Sequence, residues 1–262
     1  MITPFDHQTL TEVHLPSNPL VKVLVQMRFP VDTRISTNEG VAPFQSALRS
    51  RYPIMRKVDQ LAVVVGPAPA ANITPVWRLT DIDDAWSVVL GVDFIALETG
   101  QYESRDDFGS RWQEALEALG TADLAPARWD RLGVRYIDRV QRDEFFAEMG
   151  RYINKELLGV SGFKFPIGVQ TLSTISQAHF QLDQHQLRAA WGMVPPNASL
   201  LPGIDPATEQ SWLLDIDVFV EAGSVYDAGE VVERTRRFAE QVYTYFRWVV
   251  RDEFLRLYGG NV

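Results

Sequence analysis

The sequence predicts an α+β fold: a tandem β-α-β-β-β-α repeat whose strands form a curved, mainly antiparallel sheet with helices on one face. Three observations carry this expectation. Segments such as "VKVLVQMRF" (Val21 to Phe29) alternate with a strand's period of two. Others, such as "YESRDDFGSRWQEALEAL", hold apolar residues at helical spacing behind an acidic first turn, where the helix dipole favours carboxylates. The same succession then comes twice: Phe108, Trp112, Ala115 and Leu119 are matched by Val231, Thr235, Phe238 and Val242, each 123 positions further on.

The first half is expected over residues 1–126. Its opening strand puts Val21, Val23, Val25, Met27 and Phe29 on one side. "APFQSALRSRY" follows as a helix with Phe44, Leu48 and Tyr52 four apart and Pro53 as its stop. "LAVVVG", "VWRLTDI" and "WSVVLGVDFIALET" read as three strands before the closing helix.

The second half is expected over 127–262. "RLGVRYIDRV" is its opening strand, and "VQMRF" in the first half resembles its "LGVRY". "DEFFAEMGRYINKELLG" reads as one helix with Phe146, Met149, Ile153 and Leu157 as its stripe and Gly159 as C-cap. "IGVQTLSTISQAHFQL", "QLRAAWGMV" and "SWLLDIDVFVEA" complete the strands. The closing helix is expected to run on from about Glu230 to Tyr258, with "GG" as its stop. Phe246, Trp248, Phe254 and Leu257 leave its main stripe, which makes its far half a candidate interaction surface, set against the plainer reading of a helix buried along the sheet.

Composition narrows the function classes. The net charge of −9 and pI near 5.0 disfavour sequence-independent nucleic-acid binding. The absence of cysteine excludes disulfides, thiolate metal sites and cysteine nucleophiles. The first residues lack the basic start and apolar core of a signal peptide, and no apolar run is long enough to span a membrane, so a cytoplasmic protein is expected.

The opening stretch of the second half raises the sharpest functional question. Arg131, Arg135 and Arg139 fall on one side of a single strand. By the same alternation Arg28, Arg78 and Arg188 share the sheet face opposite the helices, together with Asp93, Asp215 and Asp217. Two readings stand. One is a solvated face held neutral by cross-strand ion pairs. The other is a binding face, for which the planar arginine fork suits a carboxylate, a phosphate or a polar protein partner. The mixed signs favour a protein partner over a polyanion, with an anionic small molecule as the further occupant.

Motifs for catalysis are missing. "DIDD" (Asp81 to Asp84) is the one dense carboxylate cluster, and it stands where a turn is required, so a turn is expected rather than a metal site. His7, His14, His179 and His185 lack metal-ligand spacing. No nucleophile elbow, phosphate-binding glycine loop or dinucleotide fingerprint occurs. No cofactor or metal is expected. The loops "GPAPAANITP" and "VPPNASLLPGIDPATEQ" stand at comparable places in the two halves, where binding functions are usually carried.

The strand order resembles the duplicated TATA-binding-protein-like and helix-grip folds, an analogy for architecture only. "NPLVKVLVQMRFP", "FQSALRSRYP", "RLGVRYIDRV" and "YFRWVVRDEFLRLYG" together resemble an uncharacterised bacterial family described as sporadically distributed. The resemblance spans most of the chain and implies no reaction, cofactor or functional residue. Its patchy distribution implies a regulatory or immunity role in bacterial defence. The expectation is therefore a non-enzymatic protein that engages a protein partner or a second copy of itself. The alternative is a small-ligand sensor or enzyme with a cavity between sheet and helices.

Overall fold

The computed structural model describes residues 4–5, 10–63, 71–163, 165–169, 171–198 and 204–262. In chain order the elements are β1 (Leu20–Arg28), α1 (Asn38–Leu48), β2 (Ile54–Val63), β3 (Ala71–Thr80), β4 (Trp86–Gly91), β5 (Phe94–Thr99), α2 (Arg105–Thr121), β6 (Arg128–Trp129) and β7 (Arg131–Val140). Then come α3 (Asp143–Ala147), α4 (Met149–Tyr152), α5 (Lys155–Leu158), β8 (Thr174–Leu182), β9 (His185–Val194), β10 (Ser211–Val220), β11 (Ser224–Val225), α6 (Ala228–Val249) and α7 (Asp252–Leu257). The fold is mixed α+β, built on antiparallel strands and helices. Two compact units are present. Unit one comprises Met1–Lys22, Arg135–Val218 and Arg237–Val262, and unit two comprises Val23–Val134 and Phe219–Arg236.

In unit two the strand order is β2-β3-β4-β5-β1. Thr37 starts α1 by accepting the Gly40 N–H at 3.1 Å, and Phe44 and Leu48 bury its inner side. Ser104 does the same for α2, accepting the Asp107 N–H at 3.2 Å. Asp106 and Asp107 occupy the first turn of α2, and the expected stripe of Phe108, Trp112, Ala115 and Leu119 is buried. A second apolar cluster, Val76, Val89, Phe94 and Ala96, occupies the other side of these strands, so β4 is buried at every position.

"WSVVLGVDFIALET" is not one strand. It folds into the hairpin β4–β5, with Gly91 opposite Phe94 and Val92–Asp93 as the two-residue turn. The turn is held from outside, because Phe29 N–H donates to the Asp93 carbonyl at 2.9 Å and Asp32 N–H to the Val92 carbonyl at 2.7 Å. Four strands therefore lie between α1 and α2, against three main strands, β8 to β10, between α5 and α6. "DIDD" is the β3–β4 turn, as expected. The Asp81 carboxylate accepts the N–H groups of Ala85 (2.8 Å) and Trp86 (3.1 Å), and Asp84 takes a left-handed φ of 54°. Of the "GPAPAANITP" loop, Ala71 to Pro75 belong to β3 and the residues up to 70 lie outside the described ones.

In unit one the order is β7-β10-β9-β8. Strand β8 begins only at Thr174, later than the strand expected from Ile167, whose first residues instead form a turn: Val169 N–H donates to the Pro166 carbonyl at 3.1 Å and Gly168 takes φ 89°. The single helix expected after β7 is three short ones, α3 to α5. Glu148 (φ −140°) and Ile153 (φ −115°, ψ 147°) leave helical geometry, and Phe145 rather than Phe146 turns into the core. Gly159 closes α5 at φ 48°.

The long terminal helix also breaks. Helix α6 ends at Val249, and Val250 forms an antiparallel bridge with Ile153. Asn154 N–H donates to the Val249 carbonyl at 2.8 Å and Arg251 N–H to the Tyr152 carbonyl at 2.9 Å. These bonds replace the helical ones at the break, and α7 restarts at Asp252. Among the described residues no helix is long and apolar enough to cross a membrane.

Candidate functional site

The arginines picked out by alternation are engaged with groups of the chain itself. In unit one Arg135 holds Asp215 in a two-pronged pair, Nε to Oδ1 at 2.7 Å and Nη2 to Oδ2 at 2.8 Å. Arg188 reaches Asp217 at 2.8 Å. Arg139 donates through Nη2 to the backbone carbonyl of Asp205 at 2.5 Å, while its buried Nε has no hydrogen-bond partner among the described residues. In unit two Arg28 meets Asp93 at 3.3 Å, Arg78 pairs with Glu98 and donates to Ser87 Oγ at 2.7 Å, and Arg131 lies 4.7 Å from the centre of the Phe219 ring.

Electrostatics follow the pairing. Burial opposes the charge of Arg135, and the Asp215 hydrogen bonds with Asp217 nearby outweigh it, raising the guanidinium pKa. For Arg139 burial prevails over the attraction of Asp205 and lowers it. An incoming anion at Arg135 competes with Asp215 for the same two N–H groups, so these pairs form a self-neutralised surface.

The aromatic residues of the terminal segment are packed inside. Phe254 is fully buried among Phe145, Phe246 and Tyr258, at ring separations of 6.1, 6.0 and 4.9 Å. Phe246 is buried and Trp248 half-buried, the latter 5.4 Å from Tyr245; Leu257 is half-buried. The break at Val250 produces this packing, since it turns α7 back onto α4.

Exposed apolar surface gathers elsewhere. Of the eleven exposed large apolar side chains among the described residues, seven lie between Val160 and Ile175. That segment leads into β8, the last strand of its order. Terminal strands are normally guarded by charges, proline or bulges. Strand β2, last in the order of unit two, carries Arg56 and Lys57. Strand β8, "TISQAHFQL", has no lysine, arginine, aspartate, glutamate or proline. Asp183–Gln184 is a two-residue turn that makes Leu182 and His185 a hydrogen-bonded pair. By the alternation of antiparallel ladders, Ile175 and Gln177 then turn their N–H and C=O groups away from β9.

A pocket of about 230 Å³ adjoins the start of β8. Buried Met149, Leu157 and Trp212 form its floor. Ser161, Ser176 and two exposed apolar residues, Val160 (58%) and Ile175 (42%), form its rim. Trp191 makes a wall, its indole N–H already donating to the Leu157 carbonyl at 2.8 Å. Among the described residues no ionisable side chain lines the pocket, and neither Arg135 nor Arg188 reaches it. Sequence reasoning missed it because five elements and their connections contribute to it.

One further titratable group was missed. Asp138 lies on the apolar side of β7, with Leu132, Val134, Tyr136 and Val140, and is almost wholly buried. Burial pushes its pKa up to about 8. Tyr258 is its electrostatic neighbour; burial pushes the Tyr258 pKa up to about 12, with Arg142, 4.8 Å above the ring, opposing. No family model matches the chain, and no curated protein matches it.

Proposed function

We propose that the chain is a non-enzymatic interaction protein that engages an extended segment of a protein partner along β8. The observation that carries this reading is the pairing of an unguarded terminal strand with the densest run of exposed apolar side chains among the described residues. A strand with outward-turned N–H and C=O groups receives another strand through main-chain hydrogen bonds, and flanking apolar surface adds burial. The internal pairing of the arginines supports β8 over the charged face as the contact. The patchy distribution of the family the chain resembles supports a partner within bacterial defence.

Selection of displayed random nonapeptides on the full-length protein tests this. Peptides enriched on the wild type are expected to lose binding to Gln177→Pro, which removes one outward N–H, and to Ile175→Asp, with the melting temperature of each variant checked. Failure to enrich any peptide, or binding to both variants as tight as to the wild type, contradicts the reading. A dimer of the chain that Gln177→Pro dissociates assigns the edge to a second copy instead.

A further inference from the structure

We infer that the pocket at the start of β8 receives one bulky, uncharged apolar side chain, aromatic or large aliphatic, from the strand that adds to β8. This rests on the interaction reading above and names the chemistry of its partner.

Position comes first. Thr174, Ile175 and Ser176 belong both to β8 and to the pocket lining. A strand added alongside them lies about 4.8 Å away and sends alternate side chains to the same face, about 7 Å apart. One of those side chains falls over the pocket, and its second neighbours fall beyond it on either side. The register of β8 with β9 fixes the face: Ser176 stands opposite Trp191, so both turn towards the pocket side of the sheet.

Chemistry comes next. The floor of Met149, Leu157 and Trp212 is apolar, and the Trp191 N–H is spent on Leu157. Thr174 Oγ1 already accepts the Met193 N–H at 3.2 Å, and Ser161 Oγ lies 3.4 Å from it. Among the described residues none of the buried side-chain polar atoms that lack a partner lies in the pocket. Among the described residues no ionisable group lines the pocket to stabilise a charge, so an ionised occupant loses hydration without return. A hydroxyl-bearing aromatic remains admissible because Ser161 and Ser176 stand at the rim.

Size agrees. A cavity of about 150 Å³ holds a benzene ring. The 230 Å³ here accommodates a phenylalanine, tyrosine, methionine or leucine side chain, and is small for a free drug-sized ligand. The close approach of β8 and β9 at Gly192 helps to shape this site, for a β-carbon there would sit 1.8 Å from the Thr174 carbonyl oxygen.

The test uses the full-length protein and the peptides enriched by the displayed nonapeptide library. The inference expects a bulky apolar residue at one fixed position of those peptides. Replacing it by alanine or aspartate is expected to weaken binding about tenfold or more. Filling the pocket by Ser161→Trp, or by Ser176→Phe at an exposed position, is expected to weaken the parent peptide equally while leaving the alanine-substituted peptide unaffected. Peptides that depend on Gln177 yet show no fixed apolar position, or are indifferent to both filling variants, overturn the pocket inference and leave the edge reading standing. Peptides that depend on the filling variants but not on Gln177→Pro overturn both. So does free indole or phenol that binds the pocket as tightly as any peptide.

Discussion

Arg135 and Asp215 meet through two parallel hydrogen bonds, 2.7 and 2.8 Å long, between a guanidinium on β7 and a nearly buried carboxylate on β10. The planar fork matches the carboxylate, and removing one partner leaves the other charge partly desolvated. Asp215→Ala is therefore expected to cost about 2–3 kcal/mol of stability. Arg135→Leu combined with Asp215→Leu recovers most of that loss, because an apolar pair of similar volume needs no compensation. Denaturant midpoints of the single and double variants check this.

Asp138 makes stability depend on pH in a defined direction. Its pKa stands at about 8 in the folded chain against an ordinary value of 3.8, so between these limits the native state binds more protons than the unfolded state. Stability from this group is full below about pH 4, falls as pH rises, and levels off above about pH 8. Asp138→Asn is expected to flatten that part of the profile and to raise the melting temperature relative to wild type at pH 8. Thermal unfolding of both proteins across pH 5 to about 9 reads the difference.

Phe254 separates a packing role from an interface role for the terminal segment. Phe254→Ala deletes a fully buried ring that touches three other aromatic residues, and a loss of about 3–5 kcal/mol is expected. Any effect on the affinity of a β8-directed peptide should vanish once binding is measured well below the unfolding transition.

Gly192 probes the β8–β9 approach. Its φ of 153° and the position an added β-carbon would take, 1.8 Å from the Thr174 carbonyl oxygen, leave no room for a methyl group. Gly192→Ala is expected to cost about 1–3 kcal/mol and to move the amide resonances of Thr174 and Ile175.

Much of this molecule was legible before its structure. Alternation placed Arg135 and Asp215, and Arg188 and Asp217, on matching strand faces, because strand periodicity is local. The helical stripes from Phe108 to Leu119 and from Val231 to Val242 are buried for the same reason. Features that depend on distant partners were not legible. The Val92–Asp93 turn has no asparagine-glycine or aspartate-glycine signal and is held by Phe29 and Asp32. The break after Val249 depends on Tyr152 and Asn154, nearly a hundred residues earlier. Asp138 was visible in "RLGVRYIDRV" as a carboxylate on the apolar side, a conflict between pattern and chemistry that marks such positions. The pocket had no comparable trace, since its walls come from segments that only the fold brings together.

Amide hydrogen exchange of the full-length protein, with and without an enriched nonapeptide, tests the central claim most directly. The account predicts that bound peptide slows exchange at Ile175 and Gln177, whose N–H groups face away from β9, and leaves β2 unchanged. Protection that appears instead around Arg28, Arg135 and Arg188, with β8 exchanging as before, would contradict it.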